Sequence, residues 1–84
     1  MNMDKEIELS IRDSREVFSG SDTKTSVEEK LGFPDGVGGF YGQPKEPYIY
    51  KYEGIEFHFS SEDDLVLLYK ENKEGGVLLN EKFV

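Results

Sequence analysis

The residue types able to do chemistry are few in this sequence. There is one histidine, His58, set between Phe57 and Phe59. As a general base it would need a nucleophile and an orienting group within hydrogen-bond reach. The chain has no cysteine, and no serine stands in a recognisable motif with the histidine. As a metal ligand it would need companions, and lone carboxylates are weak ones. His58 therefore reads as a partly exposed strand residue. Glu62-Asp63-Asp64 concentrates three carboxylates. A calcium loop needs alternating ligands, a central glycine and a terminal glutamate, and residues 60–64 have neither the glycine nor the spacing, so turn chemistry explains the cluster better. Gly36-Val37-Gly38-Gly39 invites a phosphate-loop reading, but no Lys-Ser/Thr and no helix follows it. Glu53 and Glu56 could be a glycosidase-like carboxylate pair. Glu53 falls in a turn, however, and Glu56 falls opposite Lys51. No catalytic residue, metal site or cofactor is expected.

The elements that would position these residues follow from periodicity. Glu6 to Arg12 alternates, with Ile7, Leu9 and Ile11 apolar, which predicts a half-buried strand. Asp13 to Lys24 is polar and reads as a loop or short helical turn, pinned to the core by Val17 and Phe18. Thr25 to Gly32 predicts a helix of about two turns, with Thr25/Glu28 or Ser26/Glu29 as capping box and the acids in its first turn. Gly32 and Pro34 stop it. Val27 and Leu31 should dock on the sheet, because so short a helix is marginal alone. Residues 33–47 hold glycines at 36, 38, 39 and 42 and all three prolines. They read as a long irregular connection carrying Phe33, Phe40 and Tyr41.

The second half is more regular. Tyr48 to Tyr52 and Ile55 to Phe59 alternate around Glu53-Gly54, a strong hairpin signal. That turn sets Tyr52 against Ile55, Tyr50 against Phe57 and Tyr48 against Phe59, so that six residues share one face. Lys51 against Glu56 and Ile49 against His58 share the other. Residues 60–64 turn the chain into a third strand, Leu65 to Tyr69. Its expected partners are Phe59 with Leu65, Phe57 with Leu67 and Ile55 with Tyr69, which leaves Val66 and Leu68 on the reverse face. Val77 to Leu79 forms a final strand, with Phe83 and Val84 docking as the tail. The predicted fold class is α+β: an antiparallel β-meander of four to five strands with one short helix packed on one face.

Composition bounds the function. The 84 residues suit a single domain, spanning 1–84. With no cysteine to cross-link the chain, the 13% aromatic content must supply the core, each buried ring removing about 150–250 Å² from water. The net charge of −8 repels phosphates and anionic lipids, which disfavours nucleic-acid and membrane partners and favours a basic one. The first residues, MNMDKEIE, lack the apolar stretch of a signal peptide, and no apolar run nears a membrane span's length. The chain reads as cytoplasmic.

The run T-S-V-E-E-K-L-G-F-P-D at 25–35, followed by Y-I-Y-K-Y-E-G-I-E-F-H-F at 48–59 and L-V-L-L-Y at 65–69, resembles a pattern in small uncharacterised bacterial proteins. More loosely it is similar to one half of the β-lactamase-inhibitor-like fold, shared with small outer-membrane assembly lipoproteins. Those lipoproteins carry a lipobox cysteine that this chain lacks. The resemblance covers residues 25–70 and implies a bacterial, non-enzymatic protein-binding module, some such proteins being inhibitors or toxin-neutralising immunity proteins. The contact residues expected for a protein partner are Phe40 and Tyr41, as aromatic anchors in the Gly/Pro-rich loop, and Glu62, Asp63 and Asp64, as steering charges. The alternative is a structural domain that homodimerises through the reverse face, with Ile49, Val66 and Leu68.

Overall fold

The alternation of Ile7, Leu9 and Ile11 produces a strand, and the next two residues reverse it. In a computed structural model, which describes residues 5–40 and 47–83, β1 (Glu6–Ile11) pairs with β2 (Ser14–Ser19). The helix α1 (Lys24–Leu31) follows. Then come β3 (Gly36–Phe40), β4 (Pro47–Tyr52), β5 (Ile55–Phe59), β6 (Leu65–Glu71) and β7 (Val77–Lys82). β1 and β2 form a two-stranded sheet, and β3 to β7 form a five-stranded antiparallel sheet in chain order. The fold is α+β.

Both short hairpins turn on two left-handed residues. Glu53 and Gly54 have φ of 51° and 85°, the mirror-image turn whose twist matches that of the flanking strands. The register is as the alternation requires: Tyr52 with Ile55, Tyr50 with Phe57, Lys51 with Glu56 and Ile49 with His58. Arg12 and Asp13 make the same kind of turn at φ 56° and 62° without a glycine. The segment after it, expected to be a loop, is therefore a strand. Phe18 faces the core at 0% exposure, whereas Val17 points outward, so one residue of that pair anchors the segment and not both.

Three further expectations are corrected. The helix begins at Lys24, with Thr23 as its N-cap and no acid in its first turn. Ser26 completes the capping box: Thr23 Oγ1 accepts from Ser26 N at 3.2 Å, and Ser26 Oγ accepts from Thr23 N at 2.8 Å. Its C-terminus is as anticipated, with Gly32 at φ 82° donating its N–H to Glu28 O at 2.7 Å. Gly36 to Phe40, expected to be irregular, pairs with β4 as an edge strand. Finally, a bulge interrupts the β5–β6 ladder, where Phe59 meets Leu65 but His58 meets Leu67 and Phe57 meets Leu68. Val66 is the extra residue, and every later side chain of β6 changes face. Leu68 is thus in the core and Leu67 is half-exposed.

The buried cluster draws on all three units: Ile11 and Phe18 from the hairpin, Val27 and Leu31 from α1, and Tyr50, Tyr52, Ile55, Phe57, Phe59, Leu65 and Leu68 from the large sheet. The rings interlock edge to face, with Phe57 5.0 Å from Phe18 and 5.3 Å from Tyr52, and Phe59 5.2 Å from Tyr50. Such geometry adds to the area term. Tyr48, expected on this face, is only half-buried, and its ring lies 6.4 Å from that of His58. Leu79 and Phe83 pack against the cluster, and Val84 lies outside the described residues.

The bulge makes a direct prediction. Leu68→Ala should cost about 3 kcal/mol by removing a fully buried side chain, and Leu67→Ala less than about 1 kcal/mol. Urea unfolding of the two variants checks this, and equal losses would contradict the shifted register.

Candidate partner-binding site

Two polar clasps hold the layers and leave their neighbours exposed. The first centres on Asp22, which is 7% exposed. Its carboxylate accepts from Ser19 N at 2.9 Å, Ser26 Oγ at 2.7 Å and Lys30 Nζ at 3.0 Å. Its carbonyl accepts from Leu65 N at 2.9 Å. One residue thus ties β2, α1 and β6 together. Burial, the largest single influence, works to raise its pKa, but the three hydrogen bonds and the Lys30 charge outweigh it and hold the carboxyl below its ordinary value.

The second clasp centres on Arg12. Its guanidinium donates to Leu31 O at 2.6 Å and Asp35 Oδ1 at 2.5 Å and lies 4.9 Å from the Tyr52 ring centroid. Its backbone N–H reaches Glu53 Oε2 at 3.1 Å. Asp35 also accepts from Glu53 N at 2.8 Å; that bond first, and Arg12 second, hold its carboxyl below the usual range. Tyr52 Oη donates to Gly32 O at 2.8 Å. Burial, and then the Glu28 charge, push its phenol up to about 12.

Of the residues anticipated for binding, the Phe40 backbone and Glu62, Asp63 and Asp64 fall at the opposite end of the sheet from Arg12. Phe40 ends β3, paired with Pro47; its side chain, like the whole of Tyr41, lies outside the described part of the chain. Glu62, Asp63 and Asp64 form the exposed β5–β6 turn, which Ser60 shapes by accepting from Glu62 N and Asp64 N, each at 3.2 Å. Strand pairing puts the end of β3 and this turn at the same end of the sheet, about 10–14 Å apart across the intervening strands. Asp63 is already engaged, its carboxylate 3.3 Å from Lys24 Nζ and its carbonyl accepting from Lys24 N at 3.1 Å. His58 is half-buried, with Nε2 2.9 Å from Glu56 Oε1. Among the described residues no three His, Asp or Glu side chains gather as metal ligands. No described helix is long and apolar enough to cross a membrane.

Sequence reasoning missed the site's most exposed aromatic. Phe33 is 81% exposed, while every other described aromatic side chain is buried or half-buried. It borders an open groove with Thr25, Glu28, Glu29 and Gly32. Glu28 Oε2 accepts from Tyr50 Oη at 2.5 Å, which fixes one carboxylate of the groove lining. Glu29 makes no ion pair among the described residues. Val37, 49% exposed, is the cross-strand partner of Tyr50 and so lies on the same side of the sheet. The signal was the order Leu-Gly-Phe-Pro: a glycine cap followed by proline fixes the chain's exit, and no described residue downstream covers the ring between them. No family model matches the chain, and neither does any curated protein or solved structure.

The Asp22 clasp sets an acid limit. A carboxyl whose pKa is lower in the folded than in the unfolded chain contributes stability that is complete above the unfolded value of about 3.9. That contribution is lost as pH falls through the folded value. Asp22→Asn should therefore cost about 2 kcal/mol at neutral pH, since it places an amide donor against the donors it must accept from. It should also flatten the stability loss below about pH 4. Urea titrations of both proteins across acid pH read this; parallel curves would show that Asp22 is not the linked group.

Proposed function

We propose that the chain is a non-enzymatic, acidic protein-binding module of the inhibitor or immunity type, whose partner is a basic protein. The exposed Phe33 beside Glu28 and Glu29 carries this reading. An aromatic anchor flanked by steering charge is the combination that gives affinity and fast encounter together. The net charge of −8 supports it, as does the use of Phe18, Tyr50, Tyr52, Phe57 and Phe59 in the core. On this reading, helix and hairpin cover the aromatic side of the large sheet, and the chain works in the cytoplasm of a bacterium. Glu62 and Asp64, at the end of the sheet where β3 finishes, form a second contact zone, with Asp63 reserved for Lys24; the anchors expected at Phe40 and Tyr41 belong to the same proposal but lie outside the described side chains.

A second reading is homodimerisation through the sheet's other side. Leu68 leaves that face because of the bulge, and Ile49, His58, Leu67 and Tyr69 are half-exposed there. Light scattering over a dilution series separates the two readings, a strict monomer excluding the dimer.

Affinity capture from the source organism tests the leading reading. It should recover a basic protein whose retention falls at least about tenfold with Phe33→Ala and weakens further in high salt. Undiminished capture by Phe33→Ala would remove the groove, and undiminished capture by the Phe40→Ala/Tyr41→Ala double variant would remove the second zone. Salt-insensitive capture of an acidic protein would refute the reading as a whole.

A further inference from the structure

β3 ends the five-stranded sheet, and among the described residues no strand pairs with its outer side. In an antiparallel ladder, alternate residues turn their N–H and C=O away from the partner strand, so an edge presents a row of open hydrogen-bonding groups. Sheets usually blunt such rows with lysine, proline or a covering segment. The β7 end shows that treatment: Lys5 Nζ sits 2.7 Å from Glu81 Oε1 and 3.4 Å from Lys82 O. The β3 stretch Gly36-Val37-Gly38-Gly39 carries no charge and one side chain larger than hydrogen.

The glycines leave the backbone open to approach. A Cβ at Gly36 or Gly38 would meet only Lys51 methylenes and Ile49, at 3.8–4.0 Å. Gly39 is different. It has φ of 63°, and a Cβ there would come within 2.4 Å of the Tyr48 ring, so only glycine fits and the chain bends. The straight stretch able to pair is thus Gly36 to Gly38. Val37 is exposed on the side of the sheet that Tyr50 faces, and Tyr50 Oη donates to Glu28, which lines the groove with Glu29 and exposed Phe33.

We propose that the β3 edge receives an extended segment of a basic partner protein as a sixth strand. Backbone bonds to Gly36–Gly38 give register. Side chains on the helix side alternate between an apolar contact with Val37 and Phe33 and a Lys or Arg paired with Glu28 or Glu29. This rests on the reading above and names how that partner is held. Charge selects the occupant: a second copy would bring another −8 and a second pair of glutamates to the same groove, whereas a cationic strand neutralises it.

The probe is an acetylated, amidated decapeptide of alternating Lys and Val, titrated into the isotope-labelled full chain. Amide shifts and slowed hydrogen exchange should centre on Gly36–Gly38. Affinity should fall at least about tenfold when the peptide's alternate amides are N-methylated, and by a similar factor with Val37→Lys, an exposed site whose variant is first checked for unchanged melting. The matching Glu-Val peptide should not bind. Undiminished binding of the N-methylated peptide, or shifts centred on Glu62–Asp64, would overturn strand addition while leaving a basic partner in place. No binding of the Lys-Val peptide would overturn both. Protection of the same amides by raising protein concentration alone would assign the edge to a second copy and overturn the proposal.

Discussion

The carboxylate of Asp22 is the interaction on which the rest depends. The hairpin and helix precede the large sheet along the chain, and no cysteine is present to cross-link these units. Asp22 stands at the junction. Its side chain gathers Ser19, Ser26 and Lys30, and its carbonyl takes the N–H of Leu65 where β6 begins. A buried acid with so many donors is costly to leave unmatched, so competing arrangements of the helix against the hairpin are penalised. Thr23 and Lys24 extend the junction, through the bridge to Asp64 and the bond to Asp63. That tertiary pairing is why the helix starts at Lys24: the strand-like conformation of Thr23, φ −131° and ψ 174°, serves both as bridge and as cap.

Arg12 plays the matching part at the other end. It joins the β1–β2 turn to the helix C-terminus, to Asp35 just before β3 and, through Glu53, to the β4–β5 turn. With both ends of the helix held, the rings between are placed closely enough to pack edge to face. The clasps do not compete with the core. They use backbone carbonyls and amides at element ends, which would otherwise lack partners.

What was legible in the sequence follows from this division. The β4–β5 hairpin was readable because two local signals agree, strict alternation on both arms and Glu53-Gly54 between them. β2 was not, because its turn is Arg12-Asp13, without glycine or asparagine, and because Phe18 is its only buried large side chain. β3 was hidden by its own glycines, which carry no period. The β6 register failed at one residue: nothing in Leu-Val-Leu-Leu-Tyr marks Val66 as extra, and the bulge is set by what lies across the sheet. For the site, acidity and the Glu62–Asp64 cluster were visible, but the exposure of Phe33 depends on where the chain leaves the helix, which is a tertiary fact.

The distribution of charge bears on the proposed cationic partner. Net charge alone says little about any one surface, because opposite charges can alternate. Here several cations are turned to internal work. Lys24 lies against the Tyr50 ring and Asp63, Lys30 against Phe18, Asp22 and the Val17 carbonyl, Arg12 against Tyr52, Leu31 and Asp35, and Lys5 against Glu81. Their charge is spent on clasps that hold the fold, so it does little to offset carboxylates elsewhere. Glu29 and the outer part of the β5–β6 turn are left facing solvent without described counter-ions. A basic segment reaching the groove would meet this uncompensated field first, at a range set by the roughly 8–10 Å Debye length, and the exposed ring of Phe33 only on contact. Steering by Glu29 and anchoring by Phe33 would then act in sequence beside the β3 edge, whose Gly36–Gly39 stretch carries no charge of its own.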